Sequence, residues 1–136
     1  MLFQLQNTMI LGVELSHRFT QFGNLADLQQ AISLLEADVR SKGPDYSTAL
    51  NELGVALLYR FRRLGELSDL ERAISSHSEG VQLIPDGHPD RPFCLTNLAN
   101  AITARFERLG QLNDLEQAIS KHKEAAELIL DTNPLF

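Results

Sequence analysis

The sequence predicts an all-α chain: a helical-hairpin solenoid of three repeats and six helices. Three observations carry this. Residues 60–84, RFRRLGELSDLERAISSHSEGVQLI, match residues 105–129, RFERLGQLNDLEQAISKHKEAAELI, at 16 of 25 aligned positions, whereas unrelated segments agree at roughly one position in fifteen to twenty. A third copy, RFTQFGNLADLQQAIS, begins at Arg18, and offsets of 42 and 45 residues separate Arg18, Arg60 and Arg105. The 136 residues thus divide into units at about 1–43, 44–88 and 89–136. Each unit carries two apolar stripes at steps of three and four, and glycines and prolines fall mostly between the stripes.

Taken in order, the first helix is expected over 2–22, with Thr8, Leu11, Gly12, Leu15 and Phe19 on one face. Gly23 ends it where a left-handed residue is wanted. The second, 25–41, presents Leu28, Ala31, Ile32, Leu35 and Val39, and has Ala26 where the other units offer a capping residue, so its cap should be weaker. SKGPDYS breaks the chain before a third helix over 45–64, with Leu50, Leu53, Gly54, Leu57 and Phe61, ended by Gly65. The fourth, 68–84, carries Leu70, Ala73, Ile74, His77 and Val81; its Ser68 is placed to cap free backbone donors while Glu71 reaches back. After PDGHPDRP, the fifth helix, 91–109, carries Leu95, Leu98, Ala99, Ile102 and Phe106 and stops at Gly110. The sixth, 113–130, carries Leu115, Ala118, Ile119, His122 and Ala126, with Asn113 and Glu116 as a close variant of the Ser68 cap. Small residues alternating with large ones let paired helices interlock, which supports one hairpin per unit.

A formal charge of −6 argues against nucleic acid as the main partner. Cys94 is the only cysteine, so no intramolecular disulfide forms and a two-cysteine metal site is impossible. No stretch approaches the ~18 to 20 apolar residues of a membrane span, and the N-terminus lacks a basic leader. A soluble, cytoplasmic protein is expected, with no membrane partner.

Leu53-Gly54, Leu57, Ala73, Gly80 and Pro85 follow a pattern that resembles the tetratricopeptide repeat. The third unit has Leu98-Ala99 for Leu-Gly, keeps Ala118 and Ala125, and lacks the closing proline; the first keeps Leu11-Gly12 and Ala31 but has Asp38 at the later small position. The usual repeat is about 34 residues. The elongated form, with Arg-Phe-x-x-Leu-Gly-x-Leu-x-Asp-Leu, is similar to repeats of large fungal proteins that often carry a caspase-like CHAT peptidase domain or a nucleotide-binding module. The resemblance implies a right-handed superhelix and a non-enzymatic scaffold or adaptor that binds a peptide or helix of a partner protein. The alternative it implies is a regulatory or structural arm of a larger CHAT-protease or receptor-like protein.

In that family the partner lies in a groove lined by the first helices. Carried over by position, this points to Asn51, Val55, Leu58 and Tyr59 in the second unit and Asn97, Asn100 and Thr103 in the third. The competing reading is an ordinary solvated face. Positions that grip a terminal carboxylate in one variant of the family read Met9, Val13, Asn51 and Val55 here, with Asn97 the only polar match, so no such clamp is expected.

Arg18, Arg60 and Arg105 recur at one point of each unit, with Arg62, Arg63 and Arg108 nearby. Arg60, Arg63, Arg105 and Arg108 are candidates for contacts to an anion. The structural alternative pairs the recurring arginines with Asp27, Asp69 and Asp114 and with the helix ends, and repetition in every unit favours it. His77 and His122 stand where unit one has Leu35, which favours packing over a metal or catalytic role. Nothing activates Cys94 as a nucleophile, and no phosphate loop or zinc-ligand pattern is present, so no enzyme activity and no cofactor are expected.

A helical stack needs polar outer faces at its ends. Here Met1, Leu2, Phe3, Leu5, Met9 and Ile10 open the chain, and Leu128, Ile129, Leu130, Leu135 and Phe136 close it. Either the chain is a piece of a longer array or it covers its ends by self-association.

Overall fold

A computed structural model describes residues 2–132, with side chains for residues 8–131. Six helices follow one another: α1 (Leu2–Phe22), α2 (Leu25–Ser41), α3 (Tyr46–Leu64), α4 (Leu67–Leu83), α5 (Arg91–Leu109) and α6 (Leu112–Thr132). They pack as hairpins α1–α2, α3–α4 and α5–α6, with α3 laid against α2 and α5 against α4. No predicted bound is off by more than two residues. Among the described residues no helix is long and apolar enough to cross a membrane. Of the apolar residues singled out at the ends, Met1, Leu135 and Phe136, and the side chains of Leu2, Phe3 and Leu5, lie outside the described residues.

The hairpin turns are as short as the glycine signal requires. Gly23, Gly65 and Gly110 have φ of 71°, 78° and 74°, a conformation that costs other residues a Cβ clash. Each returns its N–H to the carbonyl four residues back, at 2.7 Å in all three turns. Two residues later the next helix has begun.

That early start overturns the expected capping. Because α4 begins at Leu67, Ser68 sits inside the first turn, and the cap position falls to Glu66, which makes no side-chain cap hydrogen bond. In the first unit, where the cap was expected to be weak, Asn24 takes the position and its Oδ1 accepts from Ala26 N at 3.0 Å. The side-chain cap thus belongs to the first unit and not to the second.

Leu28, Ile32, Leu35, Leu57, Leu70 and Leu95 are fully buried in the core. Among the alanines, Ala31, Ala56, Ala73, Ala99 and Ala101 are each 0% exposed. Within the units α2 and α4 have the same length, as do α3 and α5, while the links between units differ. Four residues separate α2 from α3, and seven separate α4 from α5.

Candidate functional site

The sequence-predicted groove residues gather between α3 and α5. A small pocket of about 120 Å³ is lined by Val55, Leu58, Tyr59, Arg62, Asn97 and Asn100, with His77 of α4 behind them. Asn51 lines a neighbouring pocket of about 250 Å³, together with Glu52, Gly80 and Cys94. Thr103 lines neither; its hydroxyl donates to the Ala99 carbonyl at 2.8 Å, one turn back in its own helix.

Burial divides this set. Asn51 is 4% exposed and Leu58 is 6% exposed, so both belong to the floor. Val55, Tyr59 and Asn97 are half-buried, and Asn100 is exposed. Asn51 holds the floor together: its Oδ1 lies 3.1 Å from His77 Nδ1 and accepts from Asn97 Nδ2 at 3.3 Å. With the amide oriented this way, the imidazole carries its proton on Nδ1. Its Nε2 is buried and finds no partner among the described residues.

His77 is 1% exposed, and its ring stands over Gly54, where an added Cβ would meet Cε1 and Nε2 at 2.6 Å. Burial lowers its pKa to about 4, so the ring is neutral near pH 7. In the first unit Leu35 fills the same place against Gly12. In the third, Ala99 stands where the glycine would be, and His122 is exposed.

Cys94 is buried, and desolvation, reinforced by Asp90 and Glu52, raises its thiol pKa, against a smaller opposing pull from Arg91. A thiol held protonated is the reverse of an activated nucleophile. Burial likewise raises the Glu52 carboxyl, partly offset by His17. Asp38, at the position of Gly80 and Ala125, is 6% exposed; burial and then Asp45 raise its pKa, and neither oxygen finds a partner among the described residues. No group of three metal-ligating side chains forms among the described residues.

The arginines make a second constellation. In every unit the Nε and Nη2 of one arginine donate to both oxygens of the aspartate nine residues on: Arg18 to Asp27 at 2.8 and 2.6 Å, Arg60 to Asp69 at 2.9 and 2.8 Å, Arg105 to Asp114 at 3.1 and 2.9 Å. This fork brings each hairpin's second helix to its first. The Arg18 guanidinium holds the Asp27 carboxyl below its usual range.

The remaining donors cross to the preceding unit. Arg60 Nη1 donates to Gln29 at 2.6 Å and Arg105 Nη1 to Glu71 at 2.9 Å. Arg63 and Arg108 donate to the Gly23 and Gly65 carbonyls at 3.0 and 3.1 Å. Arg108 also lies 5.9 Å over the Phe61 ring. Arg60, Arg63, Arg105 and Arg108 are therefore engaged in building and stacking hairpins. The sequence does not mark Gln29 and Glu71 as acceptors for the arginines, although each stands two residues past the recurring aspartate. Arg62 and His77 were not seen as pocket residues.

No family model, curated protein or solved structure matches this chain.

Proposed function

We propose that the chain is a tetratricopeptide-type array, a right-handed superhelix that acts as a scaffold and holds a peptide or helix of a partner protein across the α3–α5 face. The observation that carries this reading is the pocket between those helices. Five residues assigned to a groove by position, Val55, Leu58, Tyr59, Asn97 and Asn100, line that single pocket. Its chemistry suits a polypeptide: apolar contact from Val55 and Leu58, a phenol from Tyr59, an exposed amide from Asn100 and a cation from Arg62. The raised thiol of Cys94 and the buried, neutral His77 support binding over catalysis.

A displayed peptide library selected on the intact chain tests it. Selected peptides are expected to lose about tenfold or more in affinity when Tyr59→Ala and Asn100→Ala are combined, since aromatic anchors dominate such contacts. The exposed Gln117→Ala serves as the control. Peptides indifferent to the pair, or a selection that yields no binder, would overturn the reading.

A further inference from the structure

The pocket of about 250 Å³ that Asn51 lines lies between the N-terminal parts of α3 and α5, with Gly80 and Ile84 from the end of α4. It sits inside the array, between the second and third units, and owes nothing to where α1 begins or α6 ends. Its charge is one-sided. Glu52 reaches it from α3 and Asp90 from the cap position of α5, yet no lysine or arginine lines it. Arg91, the arginine beside Asp90 in the chain, is committed elsewhere: its guanidinium donates to the Val81 and Ile84 carbonyls at 3.0 and 3.1 Å and pairs with Asp86 and Glu124 at 3.6 and 3.7 Å. His88 Nδ1 accepts the Asp90 N–H at 3.0 Å, so that nitrogen holds no proton.

The two carboxylates are left without internal partners. Asp90 makes no side-chain cap hydrogen bond to α5, and the half-buried Glu52 side chain joins no ion pair or hydrogen bond among the described residues. Asp27, Asp69 and Asp114, by contrast, are each gripped by an arginine. After burial itself, Asp90 and Glu52 are what raise the Cys94 thiol, so both act on the same enclosed space. Asn51 adds a donor. It is 4% exposed, both of its side-chain hydrogen bonds run through Oδ1, and its Nδ2 finds no partner among the described residues. Phe93 completes the lining with a ring that is 59% exposed.

We infer that this pocket receives a lysine or arginine side chain of the polypeptide held across the α3–α5 face, with the cation on Glu52 and Asp90 and the aliphatic stem along Ile84 and Phe93. The inference rests on that face holding a polypeptide. A carboxylate in a partly enclosed site attracts a cation more strongly than one in open water, because solvent and salt screen it less. An exposed phenyl ring adds attraction for the same charge. The same field disfavours an acidic side chain, which sets the preference by sign as well as by shape. The unpaired Asn51 Nδ2 suits the main-chain carbonyl that such a residue brings with it.

The test is a titration of N-acetyl-lysine N-methylamide, and separately of N-acetyl-arginine N-methylamide, onto the isotope-labelled intact chain, followed by amide NMR. Saturable shifts at Asn51, Glu52 and Cys94 are expected with at least one of them and none with the norleucine counterpart, which has the stem without the charge. Glu52→Gln keeps the shape and removes the charge, and should weaken the binding about tenfold or more. Burial already disfavours that charge, so the variant is expected to keep the parent's thermal midpoint or raise it. Tyr59→Ala with Asn100→Ala should leave the titration unchanged, which separates the pocket from the groove. Failure of both cationic probes to saturate, an equal response to the norleucine amide, or indifference to Glu52→Gln would overturn the inference. Selected peptides that still depend on Tyr59 and Asn100 would then leave the groove standing without it.

Discussion

Replacing Gly54 by alanine sets two effects of opposite sign against each other. In a helix interior the change alone contributes about 1 kcal/mol of stability. At this position, however, the new Cβ would stand 2.6 Å from Cε1 and Nε2 of His77 and 2.7 Å from its Cδ2. Relief requires moving a ring that is 1% exposed and bonded to Asn51. Overpacking of this kind costs about 1–3 kcal/mol, and losing the imidazole–amide hydrogen bond costs about 1 kcal/mol more. The net expectation is a loss of about 1–3 kcal/mol, with the thermal midpoint falling about 3–5 °C for each kcal/mol in a chain this long. In a His77→Ala background the obstruction is gone, so Gly54→Ala should there be stabilising by about 1 kcal/mol. The third unit has an alanine, Ala99, at the equivalent position, and its histidine, His122, is exposed. Urea and thermal unfolding of the four proteins decide the matter. A raised midpoint for Gly54→Ala in the native background would refute the reasoning.

His77 also predicts a pH dependence. Its folded pKa of about 4 lies below the unfolded value of 6.5, so its contribution is complete above pH 6.5 and is lost as pH falls toward about 4; the shift corresponds to something on the order of 3 kcal/mol. His77→Leu, which copies Leu35 of the first unit, should remove that part of the acid slope in urea unfolding; parallel losses in both proteins would sink the idea. Asp69→Asn breaks the fork from Arg60, whose side chain is only 20% exposed, and should cost about 1.5–3 kcal/mol. The matching Asp27→Asn should cost less, because Arg18 is 59% exposed; equal losses in chemical denaturation would contradict the ladder as described.

Much of the architecture was legible because the chain repeats itself: stripes at helical spacing placed the helices, and the recurring glycines marked the hairpin turns. Caps were misjudged since a two-residue turn starts α4 one residue before Ser68, and periodicity does not resolve a shift that small. Positional analogy brought five residues to one pocket but did not separate its lip from its floor. Asn51 is polar and yet 4% exposed, because His77 and Asn97, distant in sequence, satisfy its amide oxygen. The different fates of His77 and His122 were illegible for a similar reason. Both occupy the same repeat position, but the His77 ring stands over Gly54, where the third unit has Ala99, and α5 packs against α4.

The unequal links between hairpins have a practical consequence. Arg63 reaches back 40 residues to the Gly23 carbonyl and Arg108 reaches back 43 to that of Gly65, yet the bonds are 3.0 and 3.1 Å. The three extra residues are absorbed wholly in the segment between α4 and α5, at the edge of the stack away from the arginines. Pitch is set on one edge and slack is stored on the other, as in a bound book whose spine is sewn while the page margins vary in width. A foreign epitope or reporter spliced beside Gly87 should therefore ride on the array without altering it, whereas one residue inserted between Arg60 and Gly65 would throw the following leaf out of alignment.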